Sequence, residues 1–315
     1  MTGTGADEPL VFDVAMRVRF RGQERRSGVL LHGPAGWGEF SPFPDYDDGT
    51  CARWLAAARE AAEQGWPRPL RDRIPVNTTV PAVGPERAHD LVSHSGCTTA
   101  KVKVAERGQQ LADDLARVEA VRDALGPSGK LRVDANAAWS VDDAVTALRA
   151  LDKYDLEYAE QPVATLEEMA ALRRRIDVPL AADESVRRAE DPARVAGLEA
   201  ADIVVLKVQP IGGVRRCLEV AESCGLPVVV SSAVETSVGI AAGVALAAAL
   251  PELPYACGLG TVSLLAADVT RESLLPVDGW LPVRPVSPDR DLVEAGGDVR
   301  AWWARRLEGA GRAGG

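Results

Sequence analysis

From about residue 74 onward, short apolar runs alternate with longer stretches whose apolar residues recur at helical spacing. This alternation predicts repeated βα units and a parallel sheet. Eight such runs can be counted: Ile74–Val83, Ala100–Val104, Leu131–Asp134, Leu156–Glu160, Leu180–Asp183, Ile203–Val208, Val228–Ser231 and Tyr255–Gly258. Helices are expected between them over Leu111–Leu125, Val141–Leu151, Leu166–Ile176, Val214–Cys224 and Val238–Leu250, with Ser140, Thr165 and Ser237 as N-caps. Eight strands with intervening helices close most economically into a TIM-type (β/α) barrel, giving an α/β fold class. An open doubly wound sheet is the alternative, but no GxGxxG follows the first run.

The first seventy residues have a different texture. Val11–Phe20 and Gly28–His32 read as a hairpin, Gly36 to Thr50 as a Gly/Pro/aromatic loop region, and Ala52–Gln64 as a helix, together an α+β cap. The tail from Leu275 to Arg306 reads as Pro-rich loops with a Trp302/Trp303 pair that packs back against the cap. The chain thus divides into residues 1–73 (N-terminal part of an α+β capping domain), 74–270 (a barrel carrying the active site) and 271–315 (a segment returning to the cap).

A net charge of -10 and a pI near 5.0 argue against a nucleic-acid partner, because binding to a phosphate backbone depends on clustered Lys and Arg. Met1 to Leu10 reads as neither a signal peptide nor an anchor, and the apolar stretch Val238 to Leu250 is too short to cross a bilayer. Cys51, Cys97, Cys217, Cys224 and Cys257, an odd number without a CxxC pair, suit a reducing cytoplasm. Among 36 basic residues only five are lysine: Lys101, Lys103, Lys130, Lys153 and Lys207. Arginine stays protonated, whereas a buried lysine can lose its proton, so the retained lysines are candidates for proton transfer.

Five successive predicted strands end in polar residues that an apolar strand core would not choose: Lys101/Lys103, Asp134, Glu160, Asp183 and Lys207. The steps from Lys103 are 31, 26, 23 and 24 residues, about one βα unit each, which sends all of them to one mouth. Three converging carboxylates repel one another unless a cation lies between them. All-oxygen ligation selects a hard ion, so Asp134, Glu160 and Asp183 are the expected ligands of Mg²⁺, with Mn²⁺ open. Zinc is disfavoured because His32, His89 and His94 all lie elsewhere. Lys101 and Lys103 alternate on one strand, so both face inward, where the two ammonium groups and the metal are expected to depress each other's pKa and leave one neutral as a base. Lys207 is expected across the metal from them.

The strings Lys101-Val102-Lys103, Asp134-Ala135-Asn136, Glu160-Gln161-Pro162, Asp183-Glu184-Ser185 and Lys207-Val208-Gln209 resemble the KxK, DxN, ExP, DES and final-lysine motifs of the muconate-lactonizing subgroup of the enolase superfamily. Gly36-Trp37-Gly38-Glu39 is similar to that family's first-domain pattern. The resemblance covers the whole predicted barrel. Subgroups that use a histidine base are disfavoured, because no histidine follows His94.

The resemblance implies metal-assisted removal of a proton next to the carboxylate of a small-molecule substrate. Lys103 would be the base and Lys207 the charge that stabilises the enediolate. Lys101 and Asn136 would support them, and Ser231 and Ser232 would meet a second substrate carboxylate or its surroundings. Cap loops around Gly22 and between Phe40 and Gly49 would close the mouth, with Phe43 and Tyr46 near substrate. The stretches Val230–Ser237 and Gly258–Thr261 resemble those of dehydrating members, so a carbon–oxygen lyase is expected, although many members carry Asp where this chain has Gly260. The alternatives are a racemase or epimerase of the same superfamily, or a barrel that binds metal without catalysing.

Overall fold

The computed structural model describes residues 8–188 and 193–314. The opening segment read above as lacking a leader falls mostly outside them, at residues 1–7. The cap begins as a long antiparallel hairpin, β1 (Leu10–Phe20) and β2 (Gln23–Gly33), turning at Arg21 and Gly22, which both take positive φ. A third strand, β3 (Gly36–Phe40), pairs with β2, setting Glu39 opposite Leu30. Part of the predicted loop region is therefore strand. Its glycines serve packing: helix α1 (Asp48–Arg59) passes so close that a side chain at Gly38 would run into the Ala58 carbonyl. The helix starts at Asp47, whose carboxylate accepts from the Thr50 amide at 2.7 Å, and continues through a wider π-turn, Glu60–Gln64.

The first apolar run, Ile74–Val83, divides in two. Pro75 offers no N–H to a ladder. Residues Arg73–Pro75 (β4) pair antiparallel with a tail strand, and Thr78–Val80 (β5) open the parallel sheet. Then follow α2 (Pro85–Ser93), β6 (Thr99–Lys103), α3 (Leu111–Leu125), β7 (Lys130–Asp134), α4 (Val141–Leu151), β8 (Leu156–Glu160), α5 (Leu166–Arg173) and β9 (Leu180–Ala182). The series continues with α6 (Glu184–Arg188), α7 (Arg194–Gly197), β10 (Ile203–Leu206), α8 (Val208–Ile211), α9 (Val214–Cys224), β11 (Val228–Val230) and α10 (Ser237–Ala249). Strands β5 to β11 form one curled parallel sheet in sequence order. The eighth run forms no strand but touches both sheet edges: Gly258 bridges to Ser231, and Cys257 bridges to Val76. Gly258 is needed there, because an added Cβ would stand 2.5 Å from the Ser231 hydroxyl.

Ser140 and Thr165 cap their helices as expected, accepting from the Asp143 and Glu168 amides. Ser237 does not; Thr236 is the N-cap of α10, while the Ser237 hydroxyl donates to Asp268 and accepts from the Leu274 amide. The tail is more ordered than its prolines imply. It supplies β12 (Trp280–Pro282), which pairs with β4, and the helix α11 (Gly297–Ala313), which packs on α1 and buries Trp303 against Phe40. All five cysteines are buried. Among the described residues no helix is long and apolar enough to cross a membrane.

Strand periodicity places the chemistry. Residues two apart share a face, so Tyr158, Ala181, Val205 and Val229 lie directly beneath Glu160, Asp183, Lys207 and Ser231. These four join Ile203 and Tyr255 in a separate apolar cluster inside the curl. These four polar strand ends therefore sit on apolar or aromatic residues, whereas beneath Asp134 lies the buried Arg132, its guanidinium 4.7 Å from the Tyr158 ring centroid.

Candidate active site

Asp183 and Lys207 lead directly into α6 and α8, whereas the turns after Asp134, Glu160 and Ser231 need left-handed backbone at residues other than glycine: Asn136, Ala137, Gln161 and Val234. Such strain persists where the surroundings over-determine it. At Gln161 the cause is visible. Its amide oxygen accepts from the Asp183 and Ser185 amides at 2.9 and 3.1 Å, and its nitrogen donates to the Ser185 hydroxyl at 2.7 Å. Gln161 thereby fixes the turn that carries Asp183.

The structure brings the predicted residues together at one mouth, all of them buried except Asn136, which is half-buried. Lys101 Nζ donates to both oxygens of Glu160, at 2.9 and 2.8 Å, and lies 3.3 Å from Asp134. Lys207 Nζ donates to Asp183 at 2.5 Å. Lys103 Nζ donates to the side-chain oxygen of Asn136, whose backbone N–H donates to Asp134 at 3.0 Å and whose side-chain nitrogen donates to Glu184 at 3.3 Å. Among the described residues Lys103 is the site lysine with no carboxylate partner.

Lys101, Asp134, Asn136, Lys207, Ser231 and Ser232 line a small cavity of about 40 Å³, roofed by Phe20, Arg21 and Phe43 from the cap. Lys103 lies at its margin rather than in its wall. Tyr46 does not reach the cavity; its hydroxyl accepts from Arg21 and Arg187 at 3.0 and 3.1 Å. The eighth-strand end leaves little room for a side chain in place of Gly260, since a Cβ there would stand 3.0 Å from the Asn77 carbonyl oxygen and 3.3 Å from Pro276.

The electrostatics correct one expectation. Burial lowers the Lys101 pKa, but Glu160 and Asp134 outweigh it and hold this ammonium well above its usual range. Among the protein's own groups the expected depression is therefore not seen at Lys101, because two carboxylates stand closer to it than another ammonium. Burial raises Asp134 and Asp183, yet the lysines override it and hold both below the usual carboxylate range, with Arg187 also acting on Asp183. Burial pushes Glu160 up against the pull of Lys101, and it pushes Glu184 up as well.

Reading the sequence for site residues missed Glu184 and Arg187, which lie 2.8 Å apart and extend the cluster. The available signal was helical spacing: Arg187 stands one turn after Asp183 and 3.5 Å from it.

Three buried carboxylates at one mouth are a donor set suited to a hard divalent cation. The buried Oε2 of Glu184 has no hydrogen-bond partner, a sign that the cluster has acceptor capacity to spare. Among the described residues no three acidic, histidine or cysteine side chains are already gathered at metal-holding separation. Lysine ammonium groups stand between the carboxylates and supply the positive charge. The residues fit a divalent cation in chemistry, and occupancy requires the ammonium groups to give way.

Comparison with known proteins fits this arrangement. The chain is 66% identical over 295 residues to the o-succinylbenzoate synthase of Thermobifida fusca, covering 93% of each chain. It is 54% identical to that of Mycolicibacterium smegmatis, covering 94% of this chain and 93% of the relative. Among solved structures it resembles the L-Ala-D/L-Glu epimerase of Bacillus subtilis, with a TM-score of 0.77 at 24% identity over 90% of this chain and 96% of the other. It also resembles muconate cycloisomerase of Pseudomonas fluorescens, with a TM-score of 0.74 at 22% identity over 90% and 94%. At those identities the likeness concerns the fold. Residues 11–62 match the enolase N-terminal domain-like family and residues 85–288 the enolase C-terminal domain-like family, and the chain belongs to the enolase superfamily.

Proposed function

We propose that this chain carries out the reaction of its o-succinylbenzoate synthase relatives, a dehydration that makes it a carbon–oxygen lyase. The observation that carries this reading is 66% identity across nearly the whole of both chains, supported by the hydrogen bonds that link the motif lysines to Glu160, Asn136 and Asp183. The substrate is then 2-succinyl-6-hydroxy-2,4-cyclohexadiene-1-carboxylate, an intermediate of menaquinone synthesis, and the setting is cytoplasmic. We read the curled sheet as a complete eight-stranded barrel spanning 74–270, with 257–258 as its eighth strand, under a cap formed by 1–73 and 271–315. The bridges from 257 and 258 to both sheet edges support this.

Asp134, Glu160 and Asp183 are the proposed ligands of Mg²⁺. When bound, the cation supplies positive charge to the substrate carboxylate as negative charge collects on its oxygens. Lys103 removes the α-proton. It is the site lysine held by an amide oxygen instead of a carboxylate. The same lysine returns that proton to the departing hydroxide in a syn elimination, and Lys207 stabilises the enediolate from across the site. Lys101 keeps Glu160 and Asp134 in place, and Asn136 orients Lys103. Ser231 and Ser232 face the succinyl carboxylate. A cavity of about 40 Å³ is far smaller than this substrate, so Phe20, Arg21 and Phe43 must move to admit it and then exclude water.

Purified protein given this substrate with Mg²⁺ should form the aromatic product, and chelation with EDTA should stop the reaction reversibly. Absence of product with metal present would end the proposal. Two lysines at one mouth, Lys103 and Lys207, also favour a second reading, racemisation of an N-acylamino acid or epimerisation of a dipeptide. Incorporation of solvent deuterium at the α-carbon of such compounds tests it.

A further inference from the structure

The wall of the cavity that carries Ser231 and Ser232 is a loop, residues 231–236, leading from β11 into α10. At its centre Val234 has φ +64°, a left-handed backbone that a β-branched residue adopts only under constraint. The constraint comes from the cap. Arg26 on β2, 2% exposed, donates from Nε to the Val234 carbonyl at 3.0 Å and from Nη2 to the Ser41 carbonyl at 2.7 Å. Its guanidinium lies 4.5 Å from the centroid of the Phe43 ring, which roofs the cavity. Glu39 on β3, 3% exposed, accepts from the Thr236 amide at 3.1 Å, the Thr236 hydroxyl at 2.5 Å and the Gly239 amide at 3.0 Å. From within the loop, Glu235 accepts from the Ala233 amide at 2.7 Å. Ser41 ties the two cap residues together, donating to Glu39 at 2.6 Å.

Neither Arg26 nor Glu39 lines the cavity. Both grip the backbone of a strained loop on the far side of an interface more than 190 residues away in sequence. We infer that Arg26 and Glu39 are positioning residues: they clamp the loop 231–236 in the left-handed form at Val234 that presents Ser231 and Ser232 to the substrate's second carboxylate. The cap then sets substrate affinity from beneath the loop as well as from the roof. This inference rests on the proposed dehydration for its substrate but not for its geometry, and the two fail separately.

The test is a double-mutant cycle between Arg26→Ala and Val234→Gly. Glycine takes φ near +60° without steric cost, so it favours the clamped loop even when the clamp is gone. In the parent background Arg26→Ala should raise KM for the hydroxycyclohexadiene carboxylate about tenfold, the loss of one charged hydrogen bond, with kcat within about threefold. In the Val234→Gly background the same change should raise KM less than about threefold, since the two residues act on one equilibrium. Amide hydrogen exchange at 233–239, read without substrate, should quicken in Arg26→Ala and return towards the parent rate in the double variant. An unchanged KM, or an equal Arg26→Ala effect in both backgrounds, overturns the inference. If Arg26→Ala does not fold, Arg26→Lys keeps the charge but loses the two-carbonyl grip and takes its place with the same criteria. If the parent protein forms no product, the proposed function fails, and exchange at 233–239 across the same cycle still decides whether the clamp exists.

Discussion

At the mouth of the sheet, buried charge faces buried charge; in the seam between cap and barrel, buried charge faces backbone. Lys101 grips Glu160 and Asp134, and Lys207 grips Asp183, all through side chains that could exchange partners when a cation or carboxylate arrives. Arg26, Glu39 and Glu235 instead hold carbonyls and amides of one loop. Ion pairs out of water contribute little net stability because desolvation offsets attraction, whereas removing one partner is costly. A carboxylate tied to backbone N–H groups fixes the chain's path. The first cluster is built to be rearranged by a ligand, and the second to prevent rearrangement.

The sharpest way to break this contrast is at Lys103, the mouth lysine that has no carboxylate partner among the described residues. Lys103→Ala should lower kcat by about 10³-fold or more, within the usual contribution of a general base, with little change in unfolding free energy. Lys101→Ala should behave differently. It strands Glu160 and Asp134 without their counter-ion and should cost about 3 kcal/mol of stability in metal-free protein, with part restored by Mg²⁺. Single-turnover kinetics and urea unfolding separate the two effects. Undiminished turnover in Lys103→Ala would remove it as the base.

The same contrast explains what the sequence disclosed. The mouth was legible because Lys103, Asp134, Glu160, Asp183 and Lys207 recur at one βα unit each, and polar residues at the ends of apolar strands have few structural reasons to be there. The seam was not. Glu39 belonged to a recognisable string, but its partners Thr236 and Gly239 lie across a fold that no local pattern specifies. Strand β3 was hidden because Gly36 and Gly38 read as loop residues, when Gly38 is there to let α1 approach. The direction of the Lys101 shift was missed because spacing along a strand shows which lysines are neighbours but not which carboxylate is nearest. Helix α11 was masked by the prolines before it, and its Trp303 revealed only that the tail returns to the cap.

A smaller effect sharpens the comparison from the seam. Burial pushes the Glu39 carboxyl up from 4.5 to about 7, against hydrogen bonds from Ser41 and Thr236; Glu235 raises it further and Arg26 lowers it. A carboxyl whose folded pKa exceeds its unfolded one binds more protons when folded. Its contribution to stability is therefore full below about pH 4.5 and is lost as pH rises through about 7. Relative to Glu39→Gln, which does not titrate, the parent should lose up to about 3 kcal/mol between pH 4.5 and 7.5. Urea unfolding of both proteins across that window measures the difference. A gap that stays constant, or widens in the parent's favour as pH rises, would mean the carboxyl is not held as described.

The smallest effect falls where the two clusters meet, on the serines of the clamped loop. Ser232 Oγ lies 2.8 Å from Thr261 Oγ1, so its hydroxyl already has a partner within the protein. Among the described residues the Ser231 hydroxyl has only a long contact, 3.5 Å to the Gly258 carbonyl, and it is the freer to meet a substrate carboxylate. Ser231→Ala should therefore raise KM about fivefold, the equivalent of one hydrogen bond of about 1 kcal/mol, without a measurable change in stability. Ser232→Ala should raise KM less and lower stability slightly, because it leaves Thr261 without that partner. The ordering carries the argument: if Ser232→Ala proved the more damaging to KM and Ser231→Ala were silent, the loop would present its second serine to substrate, and the cap's grip on Val234 would be setting a different side chain from the one proposed.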